Sequence, residues 1–154
     1  MRKTDFLFIA AMTIMTLSCS KDEEATKKEM LTGKNWILTA ETINPGIDFG
    51  GGIIITDLFS QYEECYKDNI ANFTSSGNYT FEEGPTKCDS NDPQVFDSGS
   101  WTFNSDETIL VITSTTEGVM NLTIQELTAS KLIVTFEQTY DLIKYKMTST
   151  YQVK

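Results

Sequence analysis

Across residues 99–154, apolar and polar side chains alternate in run after run, with only a few residues between one run and the next. Met120, Leu122 and Ile124 alternate with Asn121, Thr123 and Gln125. Leu132, Val134 and Phe136 alternate with Ile133, Thr135 and Glu137. Ile143, Tyr145, Met147 and Tyr151 alternate with Lys144, Lys146, Thr148 and Gln152. A period of two lays the first set of each run on a buried face and most of the second in water. Connections this short permit hairpins and exclude parallel crossovers, which need about a dozen residues or more. The prediction is an antiparallel meander that closes into a barrel or folds into a sandwich.

Upstream the pattern is less regular. Residues 36–43 predict the first strand, with Trp36, Leu38 and Ala40 on one face. Pro45, Gly46 and the run Gly50-Gly51-Gly52 predict its end and a long irregular loop. Ile55, Leu58, Phe59 and Tyr62 then recur at helical spacing after Thr56. They predict a short helix, capped by Thr56, lying across one barrel end. Residues 69–74 and 79–83 flank the hairpin turn Ser75-Ser76-Gly77-Asn78, and residues 99–103 and 108–113 flank Asn104-Ser105-Asp106-Glu107. With the later strands the count reaches eight. The expected fold is all-β: an eight-stranded up-and-down antiparallel meander barrel with a short helix at one end.

Charge removes several function classes. A formal net charge of -10 is the wrong sign for displacing counterions from nucleic acid, and anionic headgroups repel it as well. The absence of histidine removes the usual zinc ligand sets and the Ser-His and Cys-His nucleophile pairs. Glu63-Glu64 and Glu82-Glu83 are carboxylate pairs, but neighbours on a strand point to opposite faces and do not act together on one bond. No Gly-Lys-Ser/Thr follows the glycine run, so it is not a phosphate loop. Asp89, Asn91, Asp92 and Asp97 offer oxygen ligands for calcium, yet their spacing fits no EF-hand, and a mobile acidic loop is the expectation. Neither enzyme activity, a cofactor nor a metal is expected.

The N terminus carries an address. Arg2 and Lys3 precede a run at residues 6–17 that is apolar apart from Thr13 and Thr16, too short to span a bilayer and of the right length for a secretory signal. Leu17-Ser18-Cys19 resembles a bacterial lipobox, with Thr16 where the motif usually has an aliphatic residue. The resemblance implies that residues 1–18 are a removed signal peptide and that Cys19 is lipidated and attaches the chain to a membrane. Ser20-Lys21-Asp22-Glu23-Glu24 resembles the export signal of surface lipoproteins in one gram-negative phylum; a solvated, self-repelling tether is the other reading. The expected location is the cell envelope, as an outer-membrane and possible surface lipoprotein, with residues 19–30 as an acidic flexible tether.

Residues 31–154 resemble the lipocalin-like domain of bacterial lipoproteins. The resemblance is carried by Leu31-Thr32-Gly33-Lys34-Asn35-Trp36, by Gly99-Ser100-Trp101, by Cys65 and Cys88 on either side of one strand pair, and by a final strand ending Thr148-Ser149-Thr150-Tyr151. In an exported chain oxidation of Cys65 with Cys88 is expected, closing a loop around one hairpin; two reduced, buried thiols are the alternative. The resemblance implies binding of a small hydrophobic ligand, with Trp36, Phe59, Phe81, Trp101, Phe103, Phe136, Tyr145 and Tyr151 as the contact residues. Phe73, Tyr79 and Met147 are further candidates for the lining. Binding is expected at the mouth, beneath residues 50–61. An eight-stranded barrel is also narrow enough to be filled by its own side chains. The alternative is then a surface accessory protein with a solid barrel that presents its loops to a protein or glycan; no protein partner can be named.

Overall fold

The computed structural model describes residues 24–154. The proposed leader, Cys19 and the charged residues through Glu23 lie outside them. The strands are β1 (Asn35–Asp48), β2 (Ile54–Asp57), β3 (Ile70–Phe73), β4 (Asn78–Glu82), β5 (Val95–Phe103), β6 (Ile109–Ser114), β7 (Gly118–Leu127), β8 (Lys131–Tyr140) and β9 (Ile143–Val153). From β3 to β9 each strand is antiparallel to the next, and β1 joins both β3 and β9. Eight strands therefore close into a barrel, and β2 is an extra strand on the edge of β1.

The first strand is longer than its composition predicts. It runs through Pro45 and Gly46 to Asp48, and Gly50-Gly51-Gly52, all at positive φ, turn the chain straight back into β2. The glycines tolerate that backbone where other residues would be strained. Gly46 has a separate role: a Cβ there would lie 2.5 Å from Ile54 Cγ2 and 2.9 Å from the Ile55 carbonyl oxygen. Only a residue without a side chain lets β2 come this close.

The helix predicted after Thr56 is corrected. Ile54–Asp57 pairs with β1 as a strand, and only a 3-10 turn follows, at Phe59–Gln61, with its first position set by Leu58. The β-branched run Ile53-Ile54-Ile55-Thr56 prefers a pleated backbone, and that preference outweighs the helical spacing of the residues beyond it. Two short helices occur elsewhere. One, α1 (Lys27–Leu31), starts at a capping box in which Thr26 and Glu29 satisfy each other's backbone N–H groups. Residues 27–30, expected in the tether, are thus already folded. The other, α2 (Glu64–Lys67), lies between β2 and β3.

A bulge between Leu38 and Ala40 shifts the phase of β1. Trp36 is fully buried, but beyond the bulge Glu41 and Ile43 are buried while Ala40, expected inside, is exposed. An extra residue on one strand reverses which side chains face the core from that point on. The core itself gathers Leu31, Trp36, Ala71, Phe73, Tyr79, Trp101, Leu110, Ile112, Leu132 and Val134. Met120, Leu122, Ile124 and Tyr151 pack against it, as the alternation requires.

Candidate functional site

The two barrel ends are built differently. At one, α1 closes the interior. Leu31 is fully buried, and its carbonyl accepts a hydrogen bond from Trp36 Nε1 at 2.8 Å. Trp101 Nε1 donates to the Thr74 carbonyl at 3.0 Å, and its ring meets Phe73 and Phe103 edge-on. Both indole N–H groups are therefore paired, which burial of a tryptophan requires. We call this the closed end.

The opposite end, where β1, β4, β6 and β8 finish, is open. Inside the barrel lies a cavity of about 170 Å3 walled by residues that include Trp36, Phe73, Tyr79, Phe81, Leu110, Leu132, Val134 and Tyr151. Nearer the open end lies a second cavity of about 400 Å3, lined by Leu38, Glu41, Tyr62, Tyr66, Asn69, Phe81 and Tyr151. Phe81 and Tyr151 line both, so the two spaces meet across these rings.

Tyr62 and Tyr66 reach the outer cavity from the segment around α2, so residues 62–69 form its cover rather than residues 50–61. A disulfide holds that cover. Cys65 in α2 is bonded to Cys88 in the β4–β5 loop, with Cα atoms 5.3 Å apart. The Thr86 hydroxyl and N–H add hydrogen bonds to Asp68, at 2.6 and 3.0 Å. These links order a segment that contributes little to the sheet.

Of the contact residues expected from the sequence, Trp36, Phe81 and Tyr151 line the cavities. Trp101 and Phe103 sit at the closed end, where they border a surface hollow beside α1. Phe59 lies in the 3-10 turn, edge-on to Tyr62 and 5.5 Å from Lys67 Nζ, outside both cavities. Phe136 borders a polar depression over β7–β9, and Tyr145 is half-buried near the open end without lining either cavity.

Sequence reasoning missed the burial of two acids, Glu41 and Asp97. Glu41 is buried inside, accepting hydrogen bonds from the Tyr62 hydroxyl and, at 2.6 Å, from the Ser149 hydroxyl. Asp97 is buried on β5. Burial by itself would raise its pKa, but hydrogen bonds from Ser114, Thr116, the Ser98 N–H and Thr115 outweigh that and hold it below the usual carboxylate range. Tyr62, Tyr79 and Tyr151 are all pushed well above the ordinary phenol value, first by burial and then by neighbouring acidic groups, Glu41 for Tyr62 and Tyr151. A visible signal existed: Asp97 stands in phase with Trp101, two strand periods away. Glu41 gave none, because the bulge that turns it inward leaves no mark in the alternation.

Among the described residues, one cluster has metal-ligand spacing, Glu63 with Cys65 and Cys88. Its sulfurs are already joined to each other, so they cannot act as thiolate ligands. Asp89, Asn91 and Asp92 bond to one another in a local turn, and Asp97 is turned into the barrel instead of joining them.

Comparison with known proteins adds one match: residues 31–134 fit the sequence model of the lipocalin-like domain. No curated protein matches the chain.

Proposed function

The chain belongs to the lipocalin-like domain family, and we propose that it binds a small hydrophobic molecule in its barrel rather than catalysing a reaction. The observation that carries this reading is the pair of adjoining cavities. The outer one, at about 400 Å3, has the size of a small-molecule site, and the inner one continues it into apolar walls. Apolar side chains supply most of the contact, and the Tyr62, Tyr66 and Tyr151 hydroxyls orient the ligand. The basic start, the short apolar run and Leu17-Ser18-Cys19 support a lipid on Cys19 and a place at the outer membrane, with acyl chains rather than charge as the anchor.

Native mass spectrometry of protein purified from its host in mild detergent tests the binding reading. A small apolar mass should leave with the protein and be lost in Val134→Trp, which fills the inner cavity. A bare protein mass, together with failure to take up any apolar probe, overturns it.

A second reading rests on the surface. The large apolar residues that are exposed among those described are Phe49, Ile53, Ile54, Tyr66, Val95, Val119, Tyr140, Leu142 and Ile143. Apart from Tyr66, which lies in α2, all belong to loops or strand ends of the open end. Clustered exposed apolar side chains mark contact surfaces, which favours a protein partner at the mouth. Photo-crosslinking in cells from position 142 should capture one partner, and the same probe at position 106, at the closed end, should not.

A further inference from the structure

We infer that the ligand presents a neutral oxygen acceptor, a carbonyl above all, to the side-chain amide of Asn69 in the outer cavity, with its apolar remainder in the barrel. This rests on the binding reading above and names the chemical class of its ligand.

Asn69 stands one residue before β3, and the alternation that turns Ala71 and Phe73 inward turns it inward too. It is 5% exposed and lines the outer cavity. Its Oδ1 accepts the Gly84 N–H at 3.4 Å, which fixes which way round the amide sits. The Nδ2 group has no hydrogen-bond partner among the described residues. Nor is it walled in: the sealed side-chain atoms without a partner are Asp68 Oδ1 and the two Glu83 oxygens. A donor that is unpaired, on a nearly buried residue and still reachable opens onto the cavity that residue lines. An unpaired N–H in such a place is destabilising, and a ligand oxygen that accepts from it removes the penalty.

The position is held from several sides. A Cβ on Gly84 would lie 2.1 Å from the Asp68 carbonyl oxygen, so a glycine is needed for the end of β4 to reach Asn69. Thr86 binds the Asp68 carboxylate, and the Cys65–Cys88 bond secures the segment before it. The donor is therefore in place before a ligand arrives, which lowers the ordering cost of binding. The rest of the outer wall disfavours charge. Both Glu41 oxygens are taken, by the Tyr62 and Ser149 hydroxyls, and leave nothing for a cation. No lysine or arginine is among the lining residues, so a carboxylate would be buried beside an acid without a counter-charge. Inward from Asn69, Ala71 pairs with Phe81, and both line the inner cavity. A molecule with a carbonyl at one end and hydrocarbon beyond it satisfies both spaces.

The test displaces N-phenyl-1-naphthylamine from the purified protein near neutral pH with 2-octanone, n-octane or n-octanoate. Asn69→Leu keeps the bulk and removes the donor. It should weaken 2-octanone about fivefold, as loss of one neutral hydrogen bond requires, and leave n-octane within about twofold. The carboxylate should bind at least about tenfold more weakly than the ketone. Should Asn69→Leu fail to fold, the unaltered protein gives a second readout: the Asn69 side-chain N–H protons should move downfield in a 15N–1H spectrum with 2-octanone and not with n-octane. If the variant weakens ketone and alkane equally, if the Asn69 signals ignore the ketone, or if octanoate binds as tightly, the acceptor class is overturned while cavity binding stands. If neither the naphthylamine nor any chain binds, both readings fall together.

Discussion

The closed and open ends of this barrel use the same strands for opposite purposes. At the closed end, buried polar atoms are few and paired: two indole N–H groups each reach a carbonyl, and the remaining contacts are apolar. At the open end, carboxyl groups and the Asn69 amide are buried, one carboxyl has no partner, and large apolar side chains face water. The difference separates the end that stabilises the fold from the end to which we assign binding. A fold held from one end leaves the other free to keep groups that a packing optimum would remove.

Four measurements break or sharpen this contrast. Trp36→Ala should be the most damaging: truncating a fully buried tryptophan costs about 3–5 kcal/mol, visible as a fall in urea midpoint. A smaller loss would mean that the closed end is not the anchor. Removing the disulfide by Cys65→Ser with Cys88→Ser opens a loop with a sequence separation of 23 and should cost about 3 kcal/mol. Its mark should be local, with amide exchange rising over residues 58–69 and 83–94 while the closed end keeps its protection.

The third measurement uses pH. Tyr62, Tyr79 and Tyr151 have folded-state pKa values above the ordinary 10.0, with burial the first cause in each. Their contribution to stability is complete below the unfolded value and is lost as pH climbs through the raised values. At about pH 11 the native protein should therefore show less tyrosinate absorbance at 295 nm than the same sample in denaturant. Equal absorbance would show these phenols to be open to water. Last, Leu142→Ser, at a side chain 99% exposed, should shift stability by no more than about 0.5 kcal/mol. A larger loss would place the apolar rim inside the fold's own packing.

The strands after residue 99 were legible because each pairs with a sequence neighbour and buries one face, so a period of two records them directly. The N-terminal half was harder to read for reasons visible in single residues. Leu58, Phe59 and Tyr62 imitate a helix because they pack around a 3-10 turn and a loop, while the strand before them is announced only by branched side chains. Ala40 and Glu41 exchange faces through one bulge that composition does not record. The buried acids stayed hidden because a carboxylate is read as surface unless its strand phase is traced residue by residue, as Glu83 with Phe81 shows.

The capping helix also fixes a direction. The polypeptide enters the barrel beside the β5–β6 turn, where Lys27 Nζ contacts the Glu107 carbonyl oxygen. Any restraint applied through the residues before it pulls on the sealed base, as a hand holds a cup by its foot. The rim lies at the opposite end of the barrel from that entry. On the binding and anchoring proposed above, a ligand would therefore come and go on the face turned from the chain's N-terminal approach.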